Sequence, residues 1–207
     1  MIKTNKIIYF LYIICLTFLF LQLKTLTITH FDIFYQSKDI IYFYFFFTHF
    51  IIFLLKYGYY QNLLSHYFIY QIIRYKKNIA IYHILISECL IQSLIITFIK
   101  IIIEYCIFHY TQNNISYFLF ILLITMTHMS LEIFISKDIS LIVIGIYLAL
   151  SLTLGDIFYE FHLQPLIYLF ISNLIMTSRF THPLIIFIFI VIVYIVGLLI
   201  IKKKEFI

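Results

Sequence analysis

The sequence predicts an all-α protein, a polytopic membrane helix bundle of about six transmembrane helices with a re-entrant or interfacial segment before the last span. Three observations predict it. Of the 207 residues, 64% are hydrophobic and only 11% charged, against roughly 25% charged in a soluble domain, and the mean hydropathy is +1.08. Apolar runs long enough to approach a ~30 Å hydrocarbon core recur along the whole chain, so a soluble domain of ~100 residues has no room beside them. Finally, Lys and Arg collect at alternate run ends, which is how membrane helices are oriented. The chain reads as one transmembrane domain, 1–207.

The first span is placed at 7–23, ~25 Å long at 1.5 Å per residue and preceded by Lys3 and Lys6. No small-residue cleavage site follows it, so it is expected to stay uncleaved and to lead outward. Residues 24–39 form the first outer loop, and a second span, 40–56, returns with His49 near its middle. That histidine is expected to be neutral, buried and hydrogen-bonded to a neighbouring helix.

Residues 57–80 are the expected cytoplasmic connection, within the stretch Lys56 to Lys77, KYGYYQNLLSHYFIYQIIRYKK. It is too polar and cationic to lie in lipid, and Lys56, Arg74, Lys76 and Lys77 assign it to the cytoplasm. As a helix it places Asn62, His66, Tyr70, Arg74 and Lys77 roughly opposite Leu64, Phe68, Ile72 and Tyr75. Two readings fit: an amphipathic helix on lipid headgroups, or a docking element for a soluble partner.

The third span, 84–103, carries Ser93, Thr97, Lys100 and Glu104 at i, i+4, i+7 and i+11, one stripe of a helix that should face protein. A lysine at mid-bilayer costs roughly 2.5 to 3.5 kcal/mol on insertion scales, so Lys100 is expected either to snorkel to the outer interface and neutralise Glu104 or to serve a pathway. After the polar turn at Tyr110 to Asn114, a fourth span, 115–135, puts Thr125, His128 and Glu132 on one face, a pattern that helix-helix hydrogen bonding explains. His128 and Glu132 are too few to predict a metal. A fifth span, 139–154, is expected to end at Gly155-Asp156 on the outer side.

The outer segment 157–182 contains Glu160, His162, Pro165 and Arg179, and its apolar part, Leu166 to Met176, is too short to cross. Short re-entrant or interfacial helices broken at Pro165 are expected. The last span, 183–201, opens on Pro183 and stops at Lys202, Lys203 and Lys204, leaving both termini in the cytoplasm.

The net charge of +5 sits at span ends, which indicates attraction to anionic membrane lipid and no nucleic-acid partner. Cys15, Cys89 and Cys106 lie in apolar runs without CxxC spacing and are expected to be packing residues. No cofactor or metal site is predicted. Neither GxxxxGK[ST] nor GxSxG occurs, so ATP hydrolysis would need another polypeptide, and an intramembrane enzyme is the third-ranked function. The bias to Ile, Phe, Tyr and Lys without Trp points to an AT-rich genome, of a low-GC bacterium or an organelle.

The layout, with its IIRYKK stretch between the second and third spans, resembles the permease subunit of type-two ABC exporters. KDISLIVIGIYLALSL, then Pro165, then NLIMTSR (Asn173 to Arg179), then a last span ending in KKKEFI, resembles the small bacteriocin- or lantibiotic-associated permeases of low-GC Gram-positive bacteria. The resemblance implies a separate ABC ATPase under the cytoplasmic connection and a second permease copy or paralogue alongside. It also implies a cell-membrane location and a role in peptide export or immunity. The few residues before Ile7 leave little room for the interfacial elbow helix of that class. The alternative is a non-catalytic accessory subunit of a membrane complex, such as a respiratory assembly of the mitochondrial inner membrane.

Overall fold

A computed structural model describes residues 6–25, 39–62, 78–111, 113–161 and 183–203. The described residues form helices and turns without a strand: α1 (Lys6–Thr25), α2 (Asp39–Leu55), α3 (Tyr59–Asn62), α4 (Asn78–Phe108), α5 (Asn114–Phe134), α6 (Lys137–Glu160) and α7 (Pro183–Lys203). Four of them, α1, α4, α5 and α7, are long and apolar enough to cross a membrane. The outer segment expected at 157–182 lies outside the described residues beyond Phe161.

Two helices outrun their predicted spans. α4 covers 31 residues, ~46 Å at 1.5 Å per residue, where the hydropathy pattern marked only 84–103. Polar residues bound the lipid-soluble part of a helix but do not end the helix, and no Gly or Pro interrupts 78–108. For the same reason the connection predicted at 57–80 stops before Asn78. The helix of the fifth predicted span, α6, continues through Gly155 and Asp156 to Glu160 instead of ending at Leu154, since one glycine costs a helix about 1 kcal/mol and does not break it.

α5 is the axis of the bundle. In its most apolar stretch 67% of residues are buried, against 28%, 33% and 22% for α1, α4 and α7. The sequence gives no warning, because α5 is less apolar than α7 yet more enclosed. One cluster joins α1, α2 and α5 through Tyr12, Leu16, Leu19, Phe45, Ile52 and Phe120. Another joins α3, α4, α5 and α7 through Tyr60, Tyr82, Leu85, Met126, Met129 and Ile190. Outward faces are apolar too: Phe10 and Phe18 on α1, Leu94, Phe98 and Ile102 on α4, and Leu184, Ile188 and Leu199 on α7 are exposed. Apolar surface on both sides removes solvent exclusion as the sorting force inside lipid, leaving shape and buried polar contacts to choose the neighbours.

Candidate functional site

The polar residues of α4 and α5 meet along a buried seam. On α4, Cys89, Gln92, Ser93, Thr97, Lys100 and Glu104 are buried, while Leu94, Phe98, Ile102 and Tyr105 of the opposite face are exposed. On α5, Ser116, Tyr117, Thr125, His128 and Glu132 are buried. The i, i+4, i+7 spacing that placed Ser93, Thr97, Lys100 and Glu104 on one stripe therefore turns that stripe onto the central helix.

At the Asn114 end, Lys100 is fully enclosed. Its Nζ donates to Glu104 Oε2 at 2.5 Å and to Asn114 Oδ1 at 2.9 Å, and lies 5.6 Å from the centroid of the Tyr117 ring. A carboxylate, an amide oxygen and an aromatic face together replace the water a lysine would otherwise need. The Lys100 ammonium is thus held between Glu104, one turn on along its own helix, and Asn114, the first residue of α5. Asn114 Nδ2 donates to Thr111 Oγ1 at 3.1 Å, and the Tyr12 and Tyr117 hydroxyls bond at 3.0 Å, tying α1 into the same end. Lys24 Nζ donates to Ile107 O at 2.7 Å, a basic side chain satisfying a carbonyl in the last turn of α4.

In the middle of the seam hydroxyls bond back to their own helices and across. Ser93 Oγ donates to Cys89 O at 2.8 Å and lies 3.3 Å from Thr125 Oγ1, while Thr97 donates to Ser93 O at 2.7 Å. His49 is buried, but its Nδ1 bonds Phe45 O of its own helix at 2.8 Å rather than a neighbouring helix. Phe45 is one turn back, so the contact forms within α2 whatever packs outside. The ring also meets Phe120, which has no acceptor, and Tyr117, whose hydroxyl bonds Tyr12, and Nε2 has no partner.

At the Lys56 end the link after α2, together with α3, is fastened to three helices. Lys56 Nζ pairs with Glu88 Oε2 of α4 at 2.9 Å, Tyr57 donates to Asp138 of α6, and Gln61 N–H donates to Glu132 Oε1 of α5 at 2.9 Å. The Gly58 and Tyr60 amides are also directed at the Glu132 carboxyl, which thus caps the start of α3. Gly58 makes the turn at φ 68°, a left-handed conformation that side chains disfavour. Lys56 stands 3.9 Å over the Tyr59 ring, and Tyr60 donates to or accepts from Cys89 Sγ at 3.3 Å. The hydrogen bond to Asp138 holds the Tyr57 phenol above its ordinary pKa. Burial, with the Glu88 charge, pushes Tyr59 up to about 12, and burial also pushes Tyr60 well above its ordinary value.

Of the five residues singled out on the connection, Asn62 ends α3 and is exposed. His66, Tyr70, Arg74 and Lys77 lie outside the described residues. Sequence reasoning missed Tyr12, Tyr60, Gln61, Asn114 and Tyr117. Tyr117 had a signal, since 117, 121, 125, 128 and 132 fall on one helical stripe; Tyr12, Tyr60 and Gln61 join only through tertiary contact. Glu88, not singled out from the sequence, is the partner of Lys56. Cys89 is buried, but Cys106 is exposed and does not pack inside, because it projects from the α4 face opposite the seam. Among the described residues no group of three or more His, Cys, Asp and Glu is gathered to hold a metal ion.

Length, apolar exterior and polar interior give these helices the character of a multi-pass membrane protein. Comparison with family models, with curated proteins and with solved structures finds no match.

Proposed function

We propose that this chain is the permease subunit of an ATP-driven exporter, crossing the cell membrane six times with both termini and the 57–80 connection in the cytoplasm. A separate ABC ATPase would bind the connection, and a second permease copy or paralogue would complete the path for a bacteriocin-like peptide. The observation that supports this reading is the threefold fastening of Lys56, Tyr57 and Gln61 to α4, α6 and α5. A push on the connection is delivered to three helices at once, as a subunit driven from outside requires. The accessory-subunit reading draws on the enclosure of α5 on all sides, which suits a rigid member of a larger assembly.

Affinity capture of the tagged protein from its native membrane tests the proposal. A P-loop ATPase should co-purify, Tyr70→Ala and Arg74→Ala should weaken its capture with insertion unchanged, and Arg74→Lys should weaken it if the contact is bidentate. Capture of respiratory-complex subunits instead would establish the accessory reading.

A further inference from the structure

Two buried atoms face each other on α5 without bonding. His128 Nε2 and Glu132 Oε2 are 3.7 Å apart, their side chains 2% and 0% exposed, and neither atom has a hydrogen-bond partner. A charge-assisted N–H···O⁻ bond spans ~2.7–2.9 Å, so the gap lies beyond bonding reach for either histidine tautomer. Leaving one buried polar atom unsatisfied is costly, and native structures leave few. Here two such atoms share one gap, and a single event removes both deficits. When a proton is added to the ring it becomes a cation with N–H on both nitrogens, and the attraction of imidazolium for carboxylate, which neither neutral tautomer has, draws Nε2 onto Oε2 by a small rotation.

The surrounding groups leave this role to the pair itself. From α2 comes the Phe53 ring, 5.3 Å from the imidazole centroid. The link after α2 brings Lys56 and Tyr57 and α3 brings Tyr60, but Lys56 is engaged by Glu88 of α4 and Tyr60 by Cys89. At α6, Lys137 exerts a favourable field on Glu132 while standing 5.4 Å over the Tyr57 ring, and Asp138 accepts from Tyr57. α7 brings Ile201 into the same cluster. His128 is thus the basic group one helical turn from the carboxyl, in a shell otherwise occupied by phenols, a thiol and paired charges. The pair lies near the surface of the bundle, since Gln61, which bonds the carboxyl, and Ser136, one turn beyond it, are exposed.

We propose that His128 and Glu132 form a binding site for one proton, whose occupancy sets how firmly Glu132 holds the Gly58–Gln61 turn. The proton moves from water to Nε2 and no covalent bond other than the new N–H changes. Empty, the site is an anionic carboxylate that spends its charge on the Gln61 N–H and the neighbouring amides. Loaded, the carboxylate divides its charge between those amides and the imidazolium, and its hold on the turn weakens. Proton binding at α5 is thereby transmitted to the start of the connection. The inference does not rest on the exporter reading.

The test is a histidine side-chain nitrogen NMR titration of the full chain in lipid nanodiscs, with the His128 signal assigned by its loss in His128→Asn. His128 should titrate at least about one pH unit higher in the wild type than in Glu132→Gln, because only the wild type offers it a charge. Amide hydrogen exchange of the 57–62 peptide, corrected for the intrinsic pH dependence, should rise several-fold as the wild type is titrated through that same pH. It should stay flat in Glu132→Gln, which keeps the size and the acceptor for Gln61. The same His128 titration in both proteins would overturn the site, and so would wild-type exchange that ignores the titration. No ATPase enters the measurement, so its outcome is separate from that of the capture experiment.

Discussion

Lys100 Nζ lies 2.5 Å from Glu104 Oε2, one turn apart on the same helix, and both side chains are shut inside the bundle at 0% and 4% exposure. Each charge is tolerable there because of the other. Removing one partner of such a pair typically costs about 3–5 kcal/mol, since the remaining charge stays buried and uncompensated. Lys100→Met or Glu104→Gln alone should therefore lower thermal stability in detergent strongly, and the double variant should recover part of the loss. Strictly additive losses would show that the two are not coupled.

Gly58 stands in the left-handed region at φ 68°, and a Cβ there would come within 3.1 Å of Lys137 Cδ. Gly58→Ala should destabilise by about 1–2 kcal/mol and loosen the turn that presents Gln61 to Glu132. The expected sign is a faster-exchanging 57–62 peptide at a pH where the wild type is protected.

Gly197 of α7 sits against Tyr82 of α4, whose hydroxyl donates to Tyr194 O at 3.1 Å. A Cβ on residue 197 would collide with that hydroxyl and stand 2.7 Å from Tyr82 Cζ. Gly197→Ala should detach α7 locally and cost about 1–3 kcal/mol, as overpacking does. Tyr82→Phe should restore part of it, and a melt of the four proteins of the cycle reads the effect.

Tyr59 and Tyr60 make the Lys56 end sensitive to alkali. Their folded pKa values lie above the ordinary 10, Tyr59 at about 12. Below pH 10 both are neutral folded or unfolded, and their contribution is intact. Between 10 and 12 the unfolded chain loses protons that the folded chain keeps, so stability falls as pH rises. Denaturant melts across this window should show that loss, and Tyr59→Phe should make it shallower.

The proposed orientation predicts opposite accessibility for two turns. In a variant lacking the native cysteines, Asn113→Cys should react with an impermeant thiol reagent from outside the cell and Lys137→Cys should not. The reverse pattern would sink the proposed topology.

What the sequence determined by itself is the helical character of the described residues and the position of each long helix, because apolar run length and the scarcity of Gly and Pro are local properties. Helix ends were less legible where polarity changed without a breaker: α4 begins at Asn78 and α6 passes Gly155 and Asp156. The stripe Ser93, Thr97, Lys100 and Glu104 was also readable, since residues three and four apart share a face of any helix. Only the tertiary structure decided that α5 is the axis, that Asn114 completes the shell of Lys100, and that Glu132 holds Gln61 N–H. The reason is physical. α1, α4, α5 and α7 are all apolar enough to face lipid, so hydropathy cannot rank them as neighbours, and that choice falls to side-chain shape and to polar atoms that must find partners across a distance no sequence window spans.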